Sequence, residues 1–206
     1  MMDLFGDISP AVPGLGFRPD AISAADEKAL VAEMDVLDMP HFQFQGWLSN
    51  RRTKSFGWQY NFNNSSFAPS EPIPGFLQPL KEIAAKFADV EPETIVQASL
   101  IKYEPDAGIG WHIDRPELDA VIGISFGAPA TMRFRRRKEG GFERASILLP
   151  PRSIYHLDGE VRYDWEHSIA PMRETRWSVT FRELSEKGKT KATKAKGVFH
   201  EQYQRA

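Results

Sequence analysis

From Ile95 to Arg182 the chain reads as a succession of short, β-rich runs. They are Val96–Tyr103, Ala120–Phe126, Thr131–Arg135, Ser146–Leu149, Ser153–Leu157 and Trp177–Arg182, mostly separated by Gly and Pro turns. No helical period intervenes between them. Many short strands without crossover helices must pair largely with their neighbours, which points to a sandwich or a jelly roll. Two helices are expected ahead of this block. Ser23 caps a helix of roughly Ala24–Asp35, with Asp26 three residues on completing a short capping box. Pro79 starts a second, carrying Leu80, Ile83, Ala84 and Phe87 at helical spacing. Both read as packing helices. Residues 1–20 read as an extended, Pro- and Gly-rich lead-in.

Within the strand block, Trp111-His112-Ile113-Asp114 places His112 and Asp114 two apart, on one face of a strand. Two His and one carboxylate, with other coordination positions open, form the facial triad of non-haem Fe(II) oxygen chemistry. His167, 53 residues beyond Asp114, is the expected third ligand, and His156 is its rival. After His167 come Arg176 and Arg182, six apart on one strand and therefore on one face. Two inward guanidiniums in an apolar strand need anions, and a dicarboxylate supplies them in bidentate geometry. The bland alternative is a pair of arginines capping a strand edge in water.

The segment His41–Phe62 interleaves Phe42, Phe44, Trp47, Phe56, Trp58, Tyr60 and Phe62 with Arg51, Arg52 and Lys54. Its alternation suggests two short strands around a turn at Ser49-Asn50-Arg51-Arg52. Aromatics with nearby cations suit a surface that stacks bases and touches phosphate. They equally suit a hairpin whose rings fill the core. Asn63 to Gly75 reads as a loop.

Composition removes several classes. The 206 residues include no cysteine, so a metal site must use imidazole and carboxylate. A net charge of −2 does not announce nucleic-acid binding for the whole molecule, although a local patch can. No apolar run approaches the ~20 residues of a membrane span, and Met1–Phe17 lacks the pattern of a secretory signal. A soluble, cytoplasmic protein is expected. Residues 1–186 are expected to form one domain. Residues 187–206 form a basic tail, with Lys187, Lys189, Lys191, Lys194 and Lys196 read as solvated or as an arm drawn to phosphate.

Leu100-Ile101-Lys102-Tyr103-Glu104-Pro105, His112-x-Asp114, Ile124-Ser125-Phe126-Gly127, His167 and Arg176-x5-Arg182 occur in an order that resembles the AlkB family of Fe(II)/2-oxoglutarate dioxygenases. Met2-Asp3-Leu4-Phe5 is similar too, so the resemblance spans nearly the whole chain. It implies a mainly β fold with flanking helices, the double-stranded β-helix (jelly roll). It implies that His112, Asp114 and His167 bind Fe(II), and that Tyr103, Arg176 and Arg182 hold 2-oxoglutarate, with O2 as oxidant. Two positions depart from the best-known bacterial members. Ile101 stands where they have Asn, leaving the co-substrate one hydrogen bond poorer. Pro116 stands where they have a base-reading Asp.

The activity implied is oxidative demethylation of alkylated DNA or RNA bases, a repair reaction on a flipped base that releases succinate, CO2 and formaldehyde. Trp58, Tyr60, Arg51 and Arg52 are the expected substrate-binding residues, in a lid of about residues 41–70. The run Arg133-Phe134-Arg135-Arg136-Arg137-Lys138 is the candidate phosphate patch. A monomer is expected. The competing readings are a 2-oxoglutarate-dependent hydroxylase or demethylase of a protein side chain or small molecule, and a non-catalytic binding module.

Overall fold

A computed structural model describes residues 12–44, 47–60 and 66–193. Met2–Phe5, the loop start at Asn63, and Lys194 and Lys196 lie outside the described residues, as do the side chains of Phe44 and Trp47.

Two antiparallel sheets face one another. The larger has the order β1 (Leu15–Arg18), β10 (Ile154–Leu157), β7 (Leu118–Gly127), β12 (Arg176–Leu184), β5 (Ile95–Tyr103), β3 (Trp47–Tyr60) and β2 (His41–Phe44), with β4 (Phe67–Pro69) added to β3. The smaller has the order β6 (Ile109–His112), β11 (Glu166–Ile169), β8 (Ala130–Lys138) and β9 (Gly141–Leu149). This is the double-stranded β-helix.

The period-two pattern of the central strands sorts their side chains into two cores. On β12, Trp177, Val179 and Phe181 point to one side. There they meet Met34 of α1 (Ala24–Asp35) and Leu80 and Ala84 of α2 (Gln78–Ala88). The alternate residues Arg176, Ser178, Thr180 and Arg182 point between the sheets. There Tyr103, Val121, Met132, Phe134, Leu149 and Tyr155 form the second core. A strand buried on both faces leaves water no access to its backbone, so the ladder must satisfy every N–H and C=O. β12 achieves this by pairing with β5 on one side and β7 on the other. Gly123 of β7 lies under the ring of Tyr155, which a Cβ there would overlap. The missing side chain lets that ring lie across the strand.

The helix expected at Ala24–Asp35 forms there, with Ser23 accepting from the Asp26 N–H at 3.1 Å and Asp26 reaching back to Ser23. Three local expectations are corrected. Ser49-Asn50-Arg51-Arg52 is strand, not turn: Arg52 pairs with His41 on one side and Lys102 on the other. A polar tetrapeptide looks like a turn in isolation, but the strand runs on through it to Arg52, which is laddered on both sides. The lead-in contains a strand, because Leu15–Arg18 completes the edge beside β10. The described start of the basic tail is helical over 186–193. Lys191 there reaches the fully buried Glu117 carboxylate at 2.6 Å, and Ala192 is buried. Among the described residues no helix is long and apolar enough to cross a membrane.

Candidate metal centre and co-substrate residues

His112 ends β6, and His167 sits directly opposite it on β11. Residues paired across neighbouring strands project to the same face, and both imidazoles enter the space between the sheets, ring centroids 4.2 Å apart. The Nδ1–H of His112 donates to the Gly110 carbonyl at 2.8 Å, which leaves Nε2 as the free lone pair. His112 Nε2 and Asp114 Oδ1 are 3.5 Å apart. One ligand atom from each of His112, Asp114 and His167 lies within 4.8 Å of the others. Among the described residues no other His, Asp or Glu joins this group, and the rival His156 is on β10 in the other sheet.

Asp114 is not on the strand, as the H-x-D spacing predicts, but just past its end. The loop that carries it is fixed by Arg162, a residue whose role the sequence does not announce. Arg162 is 3% exposed and donates to the carbonyls of Asp114 (3.3 Å), Arg115 (2.9 Å), Leu118 (2.6 Å) and Asp119 (2.8 Å). It comes from α3 (Gly159–Tyr163), a short helix that interrupts the strand block. Its only sequence signal is its place between Val161 and Tyr163. Arg162→Met should leave these carbonyls unsatisfied. The expected result is a stability loss of roughly 3 kcal/mol in urea, together with 10- to 100-fold weaker Fe(II) binding by titration. Unchanged metal affinity would remove Arg162 from this role.

The electrostatics favour a divalent cation. Burial alone would raise the Asp114 carboxyl, but Arg182, His112 and His167 hold it well below the ordinary carboxylate range. Arg182 Nη2 donates to Asp114 Oδ2 at 3.2 Å, and its Nη1 donates to Thr180 (2.8 Å) and Gln97 (3.2 Å). Burial pushes His167 down to about 4, so at neutral pH it is the neutral imidazole that can donate a lone pair.

Arg176 has a different environment. It is fully buried, donates from Nη2 to Ser125 Oγ at 2.9 Å, and keeps Nε and Nη1 without an acceptor among the described residues. Tyr103 is its register partner on β5, with the Arg176 guanidinium 5.2 Å from the ring centroid. Burial raises the Tyr103 hydroxyl above its usual value, so it is a neutral donor. A buried guanidinium with two unmatched N–H groups is costly unless an anion joins it. A carboxylate fits that edge in bidentate geometry. This donor set and this orphaned cation suit a facial-triad metal and a diacid.

The expected substrate residues separate. Tyr60 lies at the 114–118 loop, with the Arg115 guanidinium 3.8 Å over its ring and Lys191 5.9 Å away. Arg115 is held in turn by Glu117 at 3.2 Å. Arg51 stacks on Phe42 at 4.0 Å, and burial lowers its guanidinium from the usual arginine value. Trp58 stacks on Phe67 at 5.1 Å, and its carbonyl accepts from Gln97. Arg52 is not brought to the metal group. It points to the helix side of β3, bonded to Glu104 at 3.2 Å and the Met39 carbonyl at 3.1 Å. Adjacent strand residues face opposite ways, so Arg51 and Arg52 cannot share a task.

The family model of the 2OG-Fe(II) oxygenase superfamily matches residues 20–195. The tRNA (carboxymethyluridine(34)-5-O)-methyltransferase ALKBH8 of Mus musculus is 31% identical over 170 residues, 78% of this chain and 25% of that protein. Uncharacterized protein L905 of Acanthamoeba polyphaga mimivirus is 34% identical over 146 residues, 61% of this chain and 68% of that one. The Alkylated DNA repair protein ALKBH8 homolog of Arabidopsis thaliana is 26% identical over 184 residues, covering 77% and 51%. The chain thus spans a quarter of the mouse protein's length. In fold it is similar to the solved structure of OsALKBH1, at TM-score 0.60 and 13% identity, covering 84% of this chain and 97% of that one.

Proposed function

This chain belongs to the 2OG-Fe(II) oxygenase superfamily and, within it, to the AlkB family, whose chemistry uses Fe(II), 2-oxoglutarate and O2. From that premise we propose that it oxidises alkylated bases in DNA or RNA, with His112, Asp114 and His167 as the iron ligands. The observation that carries the nucleic-acid reading is the Tyr60–Arg115 stack, placed one residue from the ligand Asp114. A flat aromatic paired with a guanidinium is a platform that a splayed base can join. The relatives' names, a tRNA enzyme and an alkylated-DNA repair protein, support the same class of substrate.

Bound together, Fe(II), 2-oxoglutarate and O2 supply the oxidant, placing one oxygen atom on a substrate C–H bond and the other in succinate, with loss of CO2. The protein's part is position and charge. The Gly110 carbonyl fixes the His112 tautomer, and Arg182 orients the Asp114 carboxylate. Arg176, with Nε and Nη1 unmatched, would hold the distal carboxylate of 2-oxoglutarate, and the Tyr103 hydroxyl would donate to the same diacid. Tyr60 and Arg115 would hold the base by stacking, beside the ligand residue Asp114. On an N-methyl base the hydroxymethyl product then breaks down to formaldehyde and the free base. Pro116 offers no side-chain donor or acceptor, so recognition rests on stacking and pocket shape.

The test incubates N-methylated single-stranded oligonucleotides with the protein, Fe(II) and 2-oxoglutarate, and measures formaldehyde and succinate. Formaldehyde in step with succinate is expected. Tyr60→Ala should raise the KM for the oligonucleotide about 10- to 100-fold, from the ~1–3 kcal/mol of one stacked base. Substrate-independent consumption of 2-oxoglutarate should persist in that variant. Succinate with no formaldehyde from any methylated oligonucleotide would sink the nucleic-acid reading and favour a protein or small-molecule substrate.

A further inference from the structure

The outer face of the small sheet carries a charge arrangement that the active site does not use. Strand alternation splits the run at 133–138. Arg136 turns to one side and is neutralised by Glu143 (2.8 Å) and Glu160 (2.7 Å). Arg133, Arg135 and Arg137 turn to the other, away from the metal group. Arg144 on β9 stands directly opposite Arg135, and Phe142 directly opposite Arg137. Trp111, next to His112 but facing the opposite way, closes the row on β6.

Three guanidiniums converge on the Phe142 ring, Arg135 at 4.6 Å, Arg144 at 5.6 Å and Arg137 at 5.7 Å. Arg135 and Arg133 also lie 4.5 Å and 5.2 Å from the Trp111 ring. The only described carboxylate paired with any of them is Glu166, on Arg135 at 2.6 Å. Arg133, Arg137 and Arg144 are exposed and pair with no described acid.

Like charges directly opposite on an antiparallel pair destabilise it. A packing function would not need them, and apolar or mixed residues would hold the sheet better. Rows of arginine interleaved with aromatic rings suit a polyanion whose bases can also stack. Arginines at alternate strand positions repeat every ~7 Å along β8, which lets one extended strand touch several of them. We propose that this face binds the phosphate backbone of single-stranded nucleic acid away from the metal group, holding the polymer while one base is presented to the metal. The inference rests on the nucleic-acid reading above.

The experiment measures binding of an unmodified 20-nucleotide single-stranded RNA and the matching DNA by fluorescence anisotropy, at several salt concentrations. Poly-glutamate serves as the acidic-protein probe. The proteins are wild type, the triple variant Arg133→Ala/Arg137→Ala/Arg144→Ala, and the helix-side control Lys28→Ala/Lys86→Ala. Three lost phosphate contacts should flatten the log–log salt slope by about 2, equivalent to about 100-fold weaker binding at 0.1 M salt relative to 1 M. The control should match wild type, and 2-oxoglutarate consumption without a prime substrate should be equal in all three. If wild type releases formaldehyde from methylated oligonucleotides but the triple variant keeps the full salt slope, the patch is idle and only this inference fails. If wild type binds poly-glutamate through these arginines, ignores both nucleic acids and releases no formaldehyde, the face serves an acidic protein and both readings fall.

Discussion

Arg176→Met is expected to raise the KM for 2-oxoglutarate about 100- to 1,000-fold while leaving the co-substrate-free protein as stable as wild type, or more so. The two signs come from one observation. The guanidinium is fully buried, and its only described hydrogen-bond partner is the Ser125 hydroxyl, with Nε and Nη1 unmatched. Charge-assisted hydrogen bonds contribute ~1.5–3 kcal/mol each, so losing two near the lower end of that range removes about 3–4 kcal/mol of binding, or about 100- to 1,000-fold. Before the diacid arrives, the same charge is a desolvation cost that methionine, of similar length, does not carry. Initial rates against 2-oxoglutarate concentration give the KM, and thermal melts with and without 2-oxoglutarate give the stability and the binding. The melting temperature of wild type should rise with the diacid and that of the variant should not. An unchanged KM would show that Arg176 does not hold the co-substrate.

The second large effect is at Asp114. Asp114→Ala should retain no measurable turnover and bind no Fe(II) at stoichiometric concentration. It should also lose about 2–3 kcal/mol of stability, because Arg182, with a side chain 12% exposed, keeps its charge but loses its carboxylate. His112→Ala should lose turnover equally while costing little stability, since the Asp114–Arg182 pair stays intact. The double variant Asp114→Ala/Arg182→Met separates the two effects: stability should recover and turnover should not. Iron content and urea denaturation check each arm. Turnover in any of the three would overturn the ligand assignment.

The sequence carried the strand block well because its period-two alternation is local chemistry, and β12 forms within two residues of its expected ends, at Arg176–Leu184. The capping box at Ser23 and Asp26 is local for the same reason. What it did not carry are features that depend on distant partners. Ser49-Asn50-Arg51-Arg52 looks like a turn until β2 and β5 pair with its last residue, Arg52. Lys191 looks like a solvated cation until Glu117, buried 74 residues upstream, accepts it. Arg162 looks ordinary until the carbonyls of Asp114, Arg115, Leu118 and Asp119 converge on it. The arginine pair shows both limits: alternation placed Arg176 and Arg182 on one face, but only the fold shows that one is orphaned and the other is committed to Asp114.

His112 and His167 are register partners in one ladder. Their separation is therefore a property of hydrogen-bonded strands and not of the cation. Ordering the two imidazoles happens when the sheet forms, so an ion arriving later restricts little that was free. Such a centre should exchange its iron reversibly, emptying under a chelator and refilling without a refolding step.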